Sequence, residues 1–190
     1  MPAGIDKIDT VVVIYAENRS FDNLYGQFPG ANGLRNAKDP AQRDRDGSVL
    51  KELPPVWDGL TLKGYRPAVT QEQTAHLPNR PFAVDDPKGL NTGLNVATHD
   101  LWHLFYQNQM QIDGGRNDRF AAWADSGGLV MGHYHPDGDA LPLWSIAKQY
   151  TLADNFFMGA FGGSFLNHFW LACACTPVYP NADKSPAKGI

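Results

Sequence analysis

The chain has 190 residues, of which 43% are hydrophobic, which is enough for one folded domain with a core and argues against global disorder. Its net charge of −4 and pI near 5.8 leave no basic footprint for nucleic acid. The longest apolar runs, such as Val11–Ala16, are too short to cross a bilayer. The N-terminus has no signal-peptide segment, so the chain as written would stay in the cytoplasm, but a precursor missing its export signal would look the same, and the sequence leaves the compartment open.

The first predicted element is a strand over Asp9–Ala16. It is continuously apolar and rich in β-branched residues, which is typical of a strand covered on both faces in a parallel sheet. Residues 20–26 then predict a short helix, with Ser20 as its N-cap and Gly26 at its end.

From Pro29 to about Asn95 the periodicity fades, and this stretch contains eight of the fourteen prolines. It predicts a long irregular loop over the surface. A loop of that length in a single domain usually borders a functional site.

Regular structure is predicted to return near residue 101. A helix in THDLWHLFYQNQMQIDGG would place His103 and Gln107 on one face. The later segments predict a helix in NDRFAAWADSGG, a short strand or turn in LVMGHYHP, a helix in DALPLWSIAKQY, a buried strand in YTLADNFFM and a helix in SFLNHFWLACAC. In that last helix Cys173 and Cys175 would point in different directions and could not form a disulfide.

This order of elements predicts an α/β fold with a parallel-sheet core and flanking helices, in one domain over residues 1–190. Only two core strands can be assigned. So thin a sheet indicates an incomplete fold, one part of a larger one.

Two strand ends carry polar residues that could bind a ligand, since sites in parallel sheets lie beyond the carboxyl ends of strands. At the first, Glu17 and Asn18 offer oxygen donors suited to a divalent cation. The alternative is that Glu17 pairs with Arg19 or another cation and that Asn18 shapes a turn.

The second strand end leads into GAFGGSFLNH, where Ser164 follows two glycines at a helix N-terminus. Backbone N–H groups there favour an anion such as phosphate, and a metal or a base could activate the serine as a nucleophile. The alternative is an ordinary N-cap serine. Position 166 is Leu, so this is no G-x-S-x-G elbow, and no Ser-His-Asp triad can be assigned.

Other polar residues give weaker indications. Asn167 lies within one turn of Ser164, and His168 could equally be a surface residue or a support for the site. The spacing of His133 and His135 would suit a shared metal, but two ligands are too few for a closed site.

The segments VVVIYAENRSFDNLYGQFPGANG, HLFYQNQMQIDGGRND, MGHYH and LPLWSIAKQYTLADNFFMGAFGGSFLNHFWL together resemble the bacterial acid phosphatase and phospholipase C phosphoesterase family, in the same order, over about residues 8–178. The resemblance implies an alkaline-phosphatase-like α/β fold. A serine at position 164, where phospholipase C members tend to have threonine, places the chain nearer the acid phosphatase branch.

The resemblance also implies the roles of individual residues. Glu17, Asn18 and Ser164 would bind a divalent metal ion, and Ser164 would be the nucleophile that forms a phosphoserine. Asn167 would be an active-site amide, and His103 would lie near the phosphate. The substrate would be a phosphate ester, with membrane contact only if that ester is a lipid. Members are commonly periplasmic or secreted.

One departure bears on activity. The family completes its metal site with an aspartate pair and histidines far downstream, and this chain has no such block. It therefore reads as an N-terminal part with little activity alone. The alternatives are a phospholipase C, an inactive truncated remnant, or an unrelated α/β hydrolase, which a chelator would not inhibit.

Overall fold

The computed structural model describes residues 4–57, 59, 66–99, 101–135 and 141–178. Its α-helices are α1 (Phe21–Tyr25), α2 (Gln71–Thr74), α3 (Phe105–Ile112), α4 (Leu143–Gln149) and α5 (Ser164–Cys173). Its strands are β1 (Phe82–Ala83) and β2 (Gly132–His133). Five 3-10 turns lie at Ile5–Lys7, Leu34–Asn36, Asp113–Gly115, Ala121–Trp123 and Gly127–Met131. None of the helices described is both long and apolar enough to cross a membrane.

The two strands form a parallel pair, with Phe82 opposite Gly132 and Ala83 opposite His133. Parallel pairing between helices agrees with the predicted α/β class at that coarse level. The pair does not lie where strands were predicted, however, except for the short strand or turn in LVMGHYHP, which β2 confirms.

The predicted strand over Asp9–Ala16 is wrong for the described residues, because residues 8–17 pair with no other strand there. Val11, Val12, Val13 and Ile14 are 59–80% exposed instead of buried. A strand needs a neighbour to satisfy its backbone N–H and C=O groups, and this segment has none within the described ranges.

The predicted strand in YTLADNFFM is wrong for the same reason. Residues 151–158 form no strand, and Phe156, Phe157 and Met158 are exposed. The ring of Phe156 lies edge-on to that of Tyr15, with centroids 6.2 Å apart. The two apolar segments therefore meet at these two rings.

The long segment from residue 29 to 95 is largely irregular, as predicted, but it does not run only over the surface. Val56 and Val69 are fully buried, and they pack with Leu129 in the core cluster of the described residues. The buried hydroxyl of Thr74 accepts the Val56 N–H at 2.9 Å, which satisfies a backbone donor without a strand. Irregular chain thus supplies much of the core.

Replacing Val56 by alanine is expected to lower the free energy of unfolding by about 2 kcal/mol, because the substitution removes buried methyl groups and leaves a cavity. Val49→Ala is the matched control, since Val49 lies in the same irregular segment but is 53% exposed. It should change the stability by less than about 0.5 kcal/mol. Urea unfolding of both variants measures the difference. Equal effects would contradict a core at Val56.

Local signals define the helices well. The Ser20 hydroxyl accepts the Asn23 N–H at 3.3 Å, so the predicted N-cap of α1 is confirmed, and Gly26 is its C-cap. Helix α3 is also confirmed, but it begins after His103, so the predicted shared face of His103 and Gln107 is wrong. The helix predicted in NDRFAAWADSGG is reduced to short 3-10 turns.

Helix α4 packs against α1 through aromatic rings. Trp144 stacks on Tyr25 with centroids 6.0 Å apart and meets Phe28 edge-on at 5.0 Å. Its indole N–H donates to the Leu24 carbonyl at 3.1 Å, so the buried ring leaves no unsatisfied donor. These contacts of Trp144 hold α1, which begins three residues after Asn18, against α4.

The end of α5 differs from the prediction for the cysteines. The helix stops at Cys173, and Ala174 adopts a left-handed conformation with φ of 50°. This reverses the chain, brings the two Cα atoms to 5.2 Å and allows the Cys173–Cys175 disulfide. The prediction that these cysteines could not bridge assumed continuous helix and is wrong. Both residues are exposed, not packed.

Candidate active site

Ser164 is the first residue of α5, directly after the glycine turn. Gly162 has φ of +122°, a conformation that side chains disfavour, and Gly163 is the N-cap. Ser164 is partly exposed, at the end of the helix where backbone N–H groups point outward. The local chain can therefore present the hydroxyl and an anion-binding helix end together.

Two asparagines hold this turn. The Asn108 side-chain oxygen accepts the Gly162 N–H at 3.0 Å, which ties the turn to α3. Asn167 accepts the Ala160 N–H at 3.1 Å and donates to the carbonyls of Ala160 and Gly163 at 3.0 and 3.2 Å. The turn before Ser164 is thus fixed by side chains on both sides.

Asn167 stabilises the turn before Ser164. The residue is 8% exposed, and both ends of its amide bond the backbone of the turn. Sequence reasoning found Asn167 through the resemblance but missed Asn108, whose only signal was its place in a helix rich in amides. A direct role of Asn167 toward phosphate stays a prediction.

His103 lies beside the same turn. A methyl group on Gly163 would lie 3.5 Å from Cδ2 of the His103 ring. The Nδ1 atom of His103 is 2.6 Å from the Leu101 carbonyl oxygen, which only accepts, so Nδ1 carries the proton. The structure therefore places His103 next to the residue that precedes Ser164.

Glu17 reaches α5 through its side chain. Its Oε2 atom lies 2.8 Å from Nε2 of His168, which is one helical turn after Ser164. The predicted alternative was a pair of Glu17 with Arg19 or another cation. Among the described residues the basic partner of Glu17 is His168 and not Arg19. The Arg19 guanidinium instead donates to Asn23 and to the hydroxyl of Tyr134, at 3.3 and 3.2 Å.

Asn18 follows with φ of 71°, in the left-handed region that asparagine tolerates better than most residues. This conformation turns the chain sharply between the exposed apolar segment and α1. Asn18 is itself exposed, so its amide is accessible to a ligand.

Glu17, Asn18 and Ser164 each carry an oxygen donor, and the contact of Glu17 with His168 brings Glu17 to the helix that begins with Ser164. Carboxylate, amide and hydroxyl oxygens suit a hard divalent cation in kind. Three donors are too few to complete the coordination of such a cation, and Glu17 is the one carboxylate among them. The described part of the chain holds no group of three or more His, Cys, Asp or Glu residues that could bind a metal.

His133 and His135 each contact a different side chain. Nδ1 of His133 lies 2.9 Å from the Gln27 amide nitrogen, and Nδ1 of His135 lies 2.8 Å from Asp85. Their rings are 6.4 Å apart. Each ring is oriented by a different partner, and no third His, Cys, Asp or Glu residue joins the two histidines in a metal-binding group within the described residues.

A further contact was missed by sequence reasoning. The Asp154 carboxylate accepts the backbone N–H of Asn32 at 2.7 Å, and this hydrogen bond lowers the pKa of the carboxyl. Asp154 thereby ties the start of the long irregular segment to the segment that leads to Ser164. No local pattern predicts this pairing, which spans 122 residues.

Comparison with known proteins bears on the identity of this chain. Residues 8–189 match the model of the phosphoesterase family. The chain belongs to the phosphoesterase family. The family indicated by the sequence motifs is therefore confirmed, and a match over almost the whole chain includes Glu17, His103 and Ser164.

Two curated relatives are similar to this phosphoesterase-family chain. Phospholipase C A from Mycobacterium tuberculosis strain CDC 1551 / Oshkosh is 23% identical over 185 residues, and so is the protein of that name from strain ATCC 25618 / H37Rv. The match covers 93% of this chain but 31% of each relative, so the chain spans about a third of their length. No solved structure matches the chain.

Proposed function

We propose that this chain carries part of the catalytic centre of a metal-dependent phosphoesterase of the acid phosphatase branch, with an alkaline-phosphatase-like fold. The observation that carries the proposal is the convergence on the start of α5. Ser164 begins the helix, the His103 ring lies beside Gly163, and Glu17 reaches the next turn.

In the proposed reaction the Oγ atom of Ser164 attacks phosphorus, and the alcohol of the ester leaves. Water then cleaves the phosphoserine and releases phosphate. A divalent cation held by Glu17, Asn18 and Ser164 would favour the ionised serine and offset charge on the phosphate oxygens. The backbone N–H groups of the first turn of α5 would face the same oxygens.

The proposed metal site is incomplete in this chain because it has too few ligands. Glu17 contributes one negative charge, and a divalent cation with so few ligands should bind weakly. The relatives are about three times as long as the matched region, so the remaining ligands would come from sequence that this chain does not contain. We therefore expect the 190-residue chain alone to have little or no activity.

A second candidate function is phospholipase C activity, and the relatives named above favour it. It would use the same serine and differ in the surface that receives the lipid. The exposed apolar segments Val11–Ile14 and Phe156–Met158 do not decide between the two, because each could equally meet protein.

The test compares substrates with the product of the complete reading frame. We expect hydrolysis of p-nitrophenyl phosphate, loss of that activity with EDTA, and recovery with added Mn²⁺. Release of phosphocholine from phosphatidylcholine instead would favour phospholipase C. Activity that EDTA leaves unchanged would contradict the metal-dependent mechanism, and robust turnover by the 190-residue chain would contradict the incomplete site.

A further inference from the structure

One side-chain contact joins the N-terminal segment to α5 near Ser164. Nε2 of His168 lies 2.8 Å from Oε2 of Glu17, across 151 residues of sequence. A carboxylate oxygen only accepts hydrogen bonds, so Nε2 of His168 must carry the hydrogen in this contact. The bond occupies one oxygen of Glu17 and leaves the other for a ligand.

The imidazole is held by a second contact from the same segment. The ring of Tyr15 meets that of His168 edge-on, with centroids 6.4 Å apart and planes at 79°. Tyr15 in turn contacts Phe156 on the segment that leads to the glycine turn. His168 therefore has a defined orientation, although its side chain is about half exposed.

The helix relates this contact to the nucleophile. Ser164 and His168 are four residues apart in α5, so their side chains lie on one face, about 6 Å apart along the axis. Glu17 is thereby held against the face that presents Ser164. His168 itself lies a turn away and acts through Glu17.

We propose that His168 is a positioning residue that orients the Glu17 carboxylate for the divalent cation. The inference rests on the proposed function, because it assumes that Glu17 is a metal ligand. Histidine–carboxylate contacts behind a metal ligand typically change metal affinity 10- to 100-fold when removed. By holding Glu17, His168 would keep this metal ligand in one orientation instead of leaving it free to rotate.

The test measures Mn²⁺ affinity of the complete reading-frame product by calorimetry, without substrate. His168→Ala is expected to weaken binding roughly 10- to 100-fold. His168→Gln should restore most of the affinity, because its amide N–H can still donate to Glu17. A merely structural contact would change the urea unfolding of His168→Ala and leave the Mn²⁺ affinity of the folded protein unchanged.

The matched control is His76→Ala. His76 forms the same kind of contact, with Nδ1 2.9 Å from Oε2 of Glu52, but in a different part of the chain. Its removal should leave Mn²⁺ affinity unchanged. A loss like that of His168→Ala would show a general effect of removing histidine–glutamate pairs and would overturn the proposal.

Glu17→Gln separates this inference from the proposed function. If Glu17→Gln weakens Mn²⁺ binding while His168→Ala does not, the positioning role is wrong and the metal site stands. If Glu17→Gln has no effect, or the wild-type protein binds no Mn²⁺, both are overturned. Weaker binding in both variants, with rescue by His168→Gln, supports both.

Discussion

Replacing Ser164 by alanine is expected to lower phosphate-ester hydrolysis by the complete reading-frame product roughly a thousandfold or more. The substitution removes the oxygen that would form the bond to phosphorus, and loss of a nucleophile has effects of that order or larger in other hydrolases. Ser164 is partly exposed and makes no capping hydrogen bond, so alanine should fit without disturbing α5.

A trapping experiment distinguishes a nucleophile from a residue that only binds. Acid quench during turnover of ³²P-labelled substrate should give a labelled phosphoserine in the wild-type protein and none in Ser164→Ala. The matched control is Ser145→Ala, which removes a serine from the first turn of α4. Ser145 donates to the Pro142 carbonyl and lies in a different helix, so activity should be retained.

The opposite result has a clear meaning. If Ser164→Ala keeps more than about a tenth of the wild-type rate, Ser164 is only the first residue of α5, and the phosphoserine route fails. Water activated directly by a metal would then be the simpler mechanism.

The parts of the fold that sequence predicted correctly depend on local interactions. The cap of α1 at Ser20 and the start of α5 after Gly163 follow from residues within one turn of each boundary. The glycine turn also follows from local backbone freedom, since Gly162 has a positive φ. Such features are fixed by neighbours in sequence and need no knowledge of the rest of the fold.

The parts that sequence missed depend on distant interactions. The burial of Val56 is set by contacts with Val69 and Leu129, and no periodicity announces it because the chain there is irregular. The disulfide depends on a left-handed Ala174, a conformation that alanine rarely adopts. A helical reading of the segment could not anticipate that reversal.

The candidate site divides in the same way. Glu17, Asn18 and Ser164 were found from their chemistry at predicted strand ends, although those strands do not form among the described residues. The contact between Glu17 and His168 spans 151 residues, and only coordinates reveal it. Sequence thus indicated candidate groups, while the pairing that orients one of them required the structure.

Substituting Val12 by aspartate is expected to suppress self-association of the isolated 190-residue chain. Val12 is 80% exposed and lies within four successive exposed β-branched residues, Val11–Ile14. An exposed segment with apolar side chains and an unpaired backbone is a site where two copies of the chain can pair. A charge at its centre should oppose such pairing, as charged residues do on the edge strands of natural sheets.

The measurement is light scattering against concentration, with urea unfolding of the same samples. The wild-type chain should associate as concentration rises, and Val12→Asp should stay monomeric with its stability changed by less than about 0.5 kcal/mol. Val178→Asp is the control, since Val178 is 90% exposed but lies after α5, far along the chain from this segment. It should associate like the wild type.

The change in stability of Val12→Asp shows whether Val12 is exposed in solution. If Val12→Asp lowers the stability of the isolated chain by several kcal/mol, Val12 is buried in solution, which would contradict its exposure in the structure. If stability is unchanged, the four aliphatic side chains of Val11–Ile14 face solvent, as in the structure. Such an exposed segment, which lies just before Glu17 in the sequence, offers its backbone to a further strand.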